Sequence, residues 1–310
     1  MSNARNNYYF GGREVPAKLG GKLRDSSALV GDQPKLRGRL AADGYIFLRD
    51  VLDKDEILAA REEVFARLVE VGEIEQPAMA GLGTGHSRRR ELVKDLVAFW
   101  RSVSEGPAFR LVTHGADVRG IMDVACGEPA RPQDYVWLRP RPVGWTTELH
   151  FDRPFFVRGN RRVYTVWIAL GDIPLTDGPL TLVEGSNRFV DLIDLLRGMD
   201  DPIHSSPEAE LQAAFRGEWA QDAIALVQQR GARFLSEDFF AGDLVVFDMD
   251  TLHGALDNRS TIGRVRLSCD VRFQPASDPL DDRYFGPNPS GQKGAGYGDM
   301  NSAAPLMDTR

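Results

Sequence analysis

Cysteine is scarce in this chain, which has only Cys126 and Cys269 among its 310 residues. Two cysteines cannot build the disulfide framework of a small secreted protein. Both lie in apolar segments, which is typical of buried free thiols. The sequence therefore favours a reducing, cytoplasmic environment and excludes a fold held together by several disulfide bonds.

Long hydrophobic runs and an excess of positive charge are also absent. Apolar runs such as "LVVF" at 244–247 have the length of a strand, and the N-terminal stretch "MSNARNNYYFGG" lacks the apolar core of a signal peptide. With 38 basic and 45 acidic side chains, the formal net charge is −7. Nucleic acids and anionic membranes attract positive surfaces. We therefore expect a small-molecule partner, no nucleic acid and no membrane, and the sequence leaves the oligomeric state open.

Short strands at close spacing dominate the chain from Tyr135 onward. Turn signals such as "TDGP", "EGSN" and "AGD" separate them. The predicted strand segments are "DYVWLRP", "TELHFD", "RVYTVWIAL", "PLTLVEG", "GDLVVFD" and "RVRLSCDVRFQ". This pattern predicts one antiparallel all-β core.

Helices are predicted before this core and within it. Asp53 is the expected N-cap of an amphipathic helix, and a second helical block runs from Glu91 to Ala125 with a break near Gly106. We expect a single domain over residues 1–310. Its predicted parts are an N-terminal arm (1–34), a strand with helical support (35–130), a core (131–275) containing a helical insertion (about 190–235), and an irregular tail (276–310).

A histidine and an aspartate lie two residues apart in the segment "TELHFD" at 147–152. Successive side chains of a strand alternate between faces, so His150 and Asp152 point to one side. An isolated His-x-Asp pair is more often two polar residues at a strand edge than a functional site. The pair therefore needs a third partner before it indicates a metal centre.

His253 is the candidate for that third partner. The chain has only five histidines, and His150 and His253 both lie at the ends of predicted core strands. Two imidazoles and one carboxylate form the facial triad of non-haem Fe(II) oxygenases, which leaves coordination positions open, whereas four protein ligands close a structural zinc site. We therefore predict that His150, Asp152 and His253 bind a redox metal.

Two arginines follow His253 on the next predicted strand. Arg264, Arg266 and Ser268 share one face of "RVRLSCDVRFQ" by the alternation of a strand. A guanidinium with a hydroxyl two residues later can bind a carboxylate through several hydrogen bonds. The pattern therefore indicates an anion-binding position after the third metal ligand.

Together these motifs resemble the phytanoyl-CoA dioxygenase branch of the Fe(II)/2-oxoglutarate-dependent oxygenases. The resemblance extends from about Leu40 to Pro275 and keeps the order and spacing of the motifs. It is carried by "DGYIFLRDVLDKDEI", "TELHFD", "VWIALGDIPLTDGPLTLVEGSNR", "GDLVVFDMDTLHGALDN" and "RLSCDVRFQP". It implies a double-stranded β-helix, a cupin-like jelly roll with helices packed outside.

The resemblance also implies a reaction and the residues that serve it. His150, Asp152 and His253 would bind Fe(II), with 2-oxoglutarate as cosubstrate and O2 as oxidant. The expected reaction hydroxylates a substrate C–H bond and releases succinate and CO2. Trp167 falls where the family has a tryptophan of the cosubstrate pocket, and a core aromatic residue on a strand is an equally good interpretation.

Two residues compete for the distal carboxylate of 2-oxoglutarate. Arg264 follows His253 by eleven residues, a spacing common in the family, whereas Arg266 forms the Arg-x-Ser pair with Ser268. We favour Arg266 and expect Arg264 near the mouth of the pocket. Asp152 disfavours halogenation, because the halogenases of this family lack the carboxylate.

Two other functions remain open at this stage: a cupin-type metal-dependent hydrolase or isomerase with the same ligands, and a catalytically silent binding protein of the same fold. We expect the 190–235 insertion to cover the cavity, and no motif identifies the substrate. The remaining histidines and short basic runs are expected to be structural or solvated: His86, His114, His204, Arg88 to Arg90, Arg158, Arg161 and Arg162.

Overall fold

Two five-stranded sheets form the centre of the molecule. The computed structural model describes residues 8–156, 160, 162–197, 222–301 and 303–306. The strands are β1 (Tyr9–Phe10), β2 (Arg13–Glu14), β3 (Gly20–Gly21), β4 (Tyr45–Leu48), β5 (Ala130–Arg141), β6 (Thr147–His150), β7 (Tyr164–Ala169), β8 (Leu180–Val183), β9 (Phe234–Leu235), β10 (Leu244–Asp248), β11 (His253–Ala255) and β12 (Arg266–Pro275). The predicted jelly roll is confirmed.

The first sheet has the strand order β4-β10-β7-β12-β5, and the second has the order β3-β9-β8-β11-β6. All of their pairings are antiparallel except that of β3 with β9. An apolar cluster with members from both sheets, including Phe47, Trp167, Leu182 and Phe247, lies between them. Strands β5 and β6 are the edges of their sheets and are consecutive in the chain, so the loop between them lies at one open side.

Strand β12 separates two environments. Leu267, Cys269, Val271 and Phe273 point away from the second sheet and pack in the large core shared with the helices. The alternate residues are polar and point between the sheets: Arg266, Ser268, Asp270, Arg272 and Gln274. All ten residues of the strand are buried. The interior of the jelly roll therefore contains a row of charged side chains beside the metal-binding motif.

The helices cover the outer face of the first sheet and flank the second. They are α1 (Gln33–Asp43), α2 (Lys54–Glu70), α3 (Arg89–Leu92), α4 (Leu96–Ser104), α5 (Pro107–His114), α6 (Ala116–Cys126), α7 (Arg153–Phe156), α8 (Val190–Arg197) and α9 (Ala223–Gln229). The predicted cap of α2 is confirmed, because the Asp53 carboxylate accepts hydrogen bonds from the amides of Asp55 and Glu56.

The second helical block has two more breaks than the sequence predicted, and the first of them, residues 93–95, separates α3 from α4. The break at Gly106 is confirmed, since α4 ends just before it and α5 begins just after it. A further break at Gly115 separates α5 from α6. A Cβ atom at this position would lie 2.2 Å from the carbonyl oxygen of Leu111. Only glycine fits this turn without displacing the backbone. The periodicity of apolar residues gives no sign of this steric requirement.

The N-terminal segment packs on the second sheet. Strand β3 pairs with β9, and Phe10 contacts Phe234 with a ring separation of 5.3 Å. At the other end of the chain, the tail forms a short 3-10 segment at Gly296–Asn301, and Tyr297 stacks on Tyr135 at 4.7 Å. Both terminal segments therefore contribute buried side chains to the cores.

Helices α8 and α9 lie in the predicted insertion, and residues 198–221 between them are outside the described residues. The prediction that the insertion covers the cavity stays a prediction, and His204 belongs to the part that is not described. None of the described helices combines the length and the hydrophobicity that a transmembrane span requires.

Candidate metal centre

Three potential metal ligands converge where β6 ends and β11 begins. His150 and His253 are register partners across these antiparallel strands, and Asp152 follows two residues after His150. The Nε2 atoms of both histidines lie 3.8 Å from Oδ1 of Asp152. All three ligand atoms lie within 4.8 Å of one another, and no other such group occurs in the described part of the chain. The predicted constellation is therefore assembled.

Backbone hydrogen bonds orient both imidazoles. Nδ1 of His150 lies 2.9 Å from the carbonyl oxygen of Glu148, and Nδ1 of His253 lies 2.9 Å from that of Thr251. A carbonyl oxygen only accepts, so each Nδ1 carries the proton and donates it. The lone pair of each ring is thereby left on Nε2, which faces the shared centre, as is usual for metal-binding histidines.

The two oxygens of the Asp152 carboxylate face different partners. Oδ1 faces the imidazoles, while Oδ2 accepts hydrogen bonds from Thr165 Oγ1 at 2.5 Å and from Arg272 Nη2 at 2.9 Å. Burial would raise the pKa of Asp152, but the charges of Arg272 and the two imidazoles outweigh burial and hold that pKa well below its usual value. The carboxylate is therefore a fixed anion at neutral pH.

The two imidazoles are neutral at physiological pH. Burial lowers the pKa of His253 to about 4, and burial also lowers the pKa of His150. Neutral imidazoles and a carboxylate are the protonation states that a metal ion requires of these ligands. Two nitrogens and one oxygen on one side, without a fourth histidine, cysteine or acid in the group, suit a non-haem Fe(II) site with open positions.

The two candidate arginines occupy different environments. Arg266 is the first residue of β12, is buried, and donates a hydrogen bond from Nη1 to Ser268 Oγ at 2.5 Å. Its Nε is buried without a hydrogen-bond partner in the described structure. Burial lowers the pKa of Arg266 to about 10, so the guanidinium stays charged at neutral pH. Such a group fits the carboxylate of a bound molecule.

Arg264 lies before β12 rather than on it. Its Nη1 lies 2.8 Å from Asp177 Oδ2, and 30% of its side chain is exposed. The structure therefore separates the two arginines that the alternation placed on one face. Asp177 already neutralises Arg264, which leaves Arg266 as the candidate with unused hydrogen-bonding capacity.

Trp167 lies on β7 between the two sheets. Its ring contacts Phe239 at 4.7 Å and belongs to the apolar cluster that joins the sheets. Its register partner on β12 is Asp270, so the tryptophan points to the same interior as the charged row. The structure gives Trp167 the contacts of a core residue.

Sequence reasoning missed three charged residues behind the metal ligands. Arg272 binds Asp152, and its guanidinium lies 4.2 Å from the ring centroid of Trp137. Arg139 on β5 donates from Nε to Asp270 Oδ2 at 2.7 Å. The signal was present in "RVRLSCDVRFQ": continuing the alternation that joins Arg266 to Ser268 adds Asp270 and Arg272 to the same face.

Those of the described residues that were expected to be structural or solvated follow that expectation with one exception, Arg89. His86 is exposed, and His114 is a partly buried residue whose Nε2 lies 3.2 Å from the carbonyl oxygen of Gln133. Arg89 departs from the expectation, because it is fully buried and pairs with Glu73 at 2.5 Å. A buried counter-ion and two backbone carbonyls compensate for its lost hydration. Arg162 pairs with Glu128 at the surface, while Arg158 and Arg161 are outside the described residues.

The family of the chain follows from comparison with known proteins. A family model described as phytanoyl-CoA dioxygenase (PhyH) matches residues 40–265, which is most of the chain. The chain belongs to the phytanoyl-CoA dioxygenase family. As a member, it is a non-haem iron and 2-oxoglutarate-dependent enzyme, with Fe(II), 2-oxoglutarate and O2 as its cofactor and cosubstrates. The predicted enzyme class is confirmed.

Two curated relatives span nearly the whole chain. A 1-deoxypentalenic acid 11-beta-hydroxylase from Streptomyces arenae is 25% identical over 289 residues, covering 89% of this chain and 93% of the relative. An enzyme of the same name from Streptomyces exfoliatus is 25% identical over 282 residues, covering 88% and 92%.

Two crystal structures share the fold of this phytanoyl-CoA dioxygenase family member. The non-heme alpha ketoglutarate dependent carbocyclase SnoK from nogalamycin biosynthesis matches with a TM-score of 0.52 and 21% identity, over 78% of this chain and 84% of that one. EctD from S. alaskensis with bound Fe matches with a TM-score of 0.51 and 15% identity, over 85% and 83%. At these identities the likeness concerns the fold alone.

Proposed function

We propose that this protein is a dioxygenase that hydroxylates a C–H bond of a small molecule, using Fe(II), 2-oxoglutarate and O2 and releasing succinate and CO2. The observation that carries the proposal is the convergence of His150 Nε2, His253 Nε2 and Asp152 Oδ1 on one point. When bound, iron with its cosubstrates supplies the oxidising power that no amino-acid side chain has.

His150, Asp152 and His253 are the proposed iron ligands. Their donor atoms are already unprotonated at neutral pH. Each side chain is oriented by a hydrogen bond at the atom that faces away from the shared centre. Three ligands from a short turn and an adjacent strand end occupy one side of a metal ion. The opposite side is left for the cosubstrate and O2.

Arg266 and Ser268 are the proposed ligands of the distal carboxylate of 2-oxoglutarate. The guanidinium is buried and charged, its Nε has no partner in the described structure, and its only hydrogen bond there is to the Ser268 hydroxyl. An anion placed here would satisfy both groups with charge-assisted hydrogen bonds. We assign Trp167 to the wall of this interior and Arg264 to an ion pair outside it.

Hydroxylation is the favoured outcome among the reactions of such sites. Both curated relatives are named as hydroxylases, and the matched regions cover about nine tenths of the length of each relative. Asp152 would fill the coordination position that a halide takes in the halogenases of this family, which lack the carboxylate. We therefore propose that oxygen, rather than halogen, is transferred to the substrate.

The proposal is tested by measuring succinate release from purified protein supplied with Fe(II), 2-oxoglutarate and a panel of candidate metabolites. His150→Ala, Asp152→Ala and His253→Ala should each lose tight iron binding and turnover, because two remaining ligands hold iron poorly. The matched control is His86→Ala, which removes an exposed histidine. Unchanged iron stoichiometry in a ligand variant would remove that residue from the site, and product formation without succinate would overturn the reaction class.

A further inference from the structure

Strand β5 adds two arginines to the interior beside the proposed cosubstrate site. Arg141 is the register partner of Arg266, and Arg139 is the register partner of Ser268. Partner residues of an antiparallel pair point to the same face, so both β5 side chains face the interior row of β12. Like charges directly opposite each other destabilise a sheet unless an anion lies between or beside them.

Arg141 has no such anion in the described structure. Its guanidinium forms no ion pair and no hydrogen bond with any described residue, and its buried Nε is unsatisfied. Its guanidinium lies over the ring of Trp145, whose centroid is 4.9 Å from Cζ. Burial, followed by the neighbouring charges of Arg139 and Arg266, lowers the pKa of Arg141. An unpaired guanidinium in this position has a strong affinity for an anion.

The charges of the interior do not balance once the cofactors are counted. Four guanidinium groups, those of Arg139, Arg141, Arg266 and Arg272, share this interior with the carboxylates of Asp152 and Asp270. Fe(II) adds two positive charges, and 2-oxoglutarate adds two negative charges. The loaded site therefore keeps an excess of two positive charges, which a neutral substrate would leave without a counter-charge.

The position of Arg141 points to the substrate rather than to the cosubstrate. The side chain of His150 is 27% exposed, whereas that of Asp152 is 2% exposed, so the metal centre opens on the β6 side. Arg141 ends β5 and begins the loop that leads to β6, so it lies at this open edge. Arg266, by contrast, begins the inner strand β12, where it and Ser268 form the proposed site for the distal carboxylate of 2-oxoglutarate.

We propose that Arg141, assisted by Arg139, binds an anionic group of the substrate, so that the enzyme acts on an organic acid. The inference rests on the proposed function, because the charge balance assumes iron and 2-oxoglutarate in the same interior. Arg139 is already bound to Asp270 and contributes mainly positive charge, while Arg141 supplies the free hydrogen-bond donors.

The test uses the anaerobic Fe(II)·2-oxoglutarate complex, which binds ligands without turnover. Butyrate and its uncharged analogue butyramide are titrated by calorimetry at fixed ionic strength into the parent, Arg141→Met and Arg141→Lys. A charge-assisted hydrogen-bond pair contributes about 1.5 to 3 kcal/mol, so Arg141→Met should bind butyrate at least about tenfold more weakly than the parent. Arg141→Lys should retain part of the affinity, and butyramide should not distinguish the proteins. The matched control is Arg67→Met, which removes an arginine stacked on Phe99 in the helical layer.

Each result bears on one proposal. Equal butyrate affinity in the parent and Arg141→Met, including no binding by either, overturns the anion site. A loss of 2-oxoglutarate affinity in Arg141→Met as large as that in Arg266→Met also overturns it, because Arg141 would then belong to the cosubstrate. If the parent binds no 2-oxoglutarate, the proposed function fails first, and this is seen in the same calorimeter before butyrate is added.

Discussion

Arg272 supports the candidate metal centre on the side of Asp152 that faces away from the imidazoles. It donates a hydrogen bond to the Asp152 oxygen that faces away from the imidazoles, and its guanidinium is enclosed by Trp137 and Phe156 at 4.2 and 4.3 Å. Two aromatic faces stabilise the cation while leaving its edge free for the carboxylate. The orientation of one ligand therefore depends on a residue more than a hundred positions away, which spacing rules do not detect.

Arg266 and Arg264 are distinguished by their partners, and this gives a prediction at the scale of single residues. Losing one partner of a buried charge-assisted pair costs about 2 to 5 kcal/mol, so Arg266→Ala should raise the apparent 2-oxoglutarate constant by at least roughly 30-fold. Arg264→Ala should have a much smaller effect, because Arg264 is paired with Asp177. The measurement is the concentration dependence of succinate formation, together with direct 2-oxoglutarate titration.

Iron stoichiometry is the control for both arginine variants and should not change. If the two effects come out reversed, the eleven-residue spacing from His253 is the better guide to the cosubstrate arginine. If neither variant changes 2-oxoglutarate binding, the position of the distal carboxylate has to be sought elsewhere in the interior.

At the scale of elements, the alternation of side chains along a strand predicts the polar face of β12 as well as the His-x-Asp pair. The same period that placed His150 beside Asp152 also orders the whole polar face of β12, including Asp270 and Arg272. The failure at Arg264 has a physical cause, because the strand begins only at Arg266 and the Arg264 side chain pairs with Asp177 instead of joining the polar face of β12. Strand ends depend on tertiary pairing, whereas alternation within a strand is a local property of the backbone.

The carboxyl group of Asp248, the last residue of β10, gives a prediction of pH dependence. Burial, with a smaller contribution from Asp250, raises the pKa of Asp248 to about 7. Its Oδ1 accepts hydrogen bonds from the Asp250 amide and the Thr251 hydroxyl, and Thr251 in turn orients His253 through its carbonyl. Since the folded pKa lies above the unfolded one of about 4, stability is lost as the pH rises from about 4 through 7 and changes little above that.

Asp248→Asn should therefore stabilise the protein in a pH-dependent manner. Asparagine keeps the accepting oxygen but cannot ionise. We expect almost no difference in Tm from the parent at pH 4 and an increase by pH 8, on the order of several degrees for a shift of this size. Thermal unfolding at the two pH values is the measurement. A difference that is equal at both pH values would show that the carboxyl is not the source of the effect.

At the scale of the whole molecule, the fold was predictable because turn signals and strand periodicity recur throughout the second half of the chain. The N-terminal segment was not, since its strands are two residues long and β3 finds its partner β9 more than two hundred positions away. Tyr8, Phe10, Val15 and Leu19 are buried in a cluster with Phe234 and residues of α8 and α9. Contacts of this separation have no local signature in the sequence.

These contacts predict that the N-terminal segment belongs to the same cooperative unit as the jelly roll. Phe10 is buried against Phe234, and truncating a buried phenylalanine costs about 3 to 5 kcal/mol, so Phe10→Ala should lower Tm by roughly 5 to 10 °C in a single transition. The matched control is Leu58→Ala on α2, where the side chain is 37% exposed and the expected loss is smaller. Because β9 also pairs with β8, which adjoins the strand of His253, any loss of order should extend into the second sheet. Two separate transitions, with only a minor one responding to Phe10→Ala, would show instead that the segment unfolds independently of the metal-binding core.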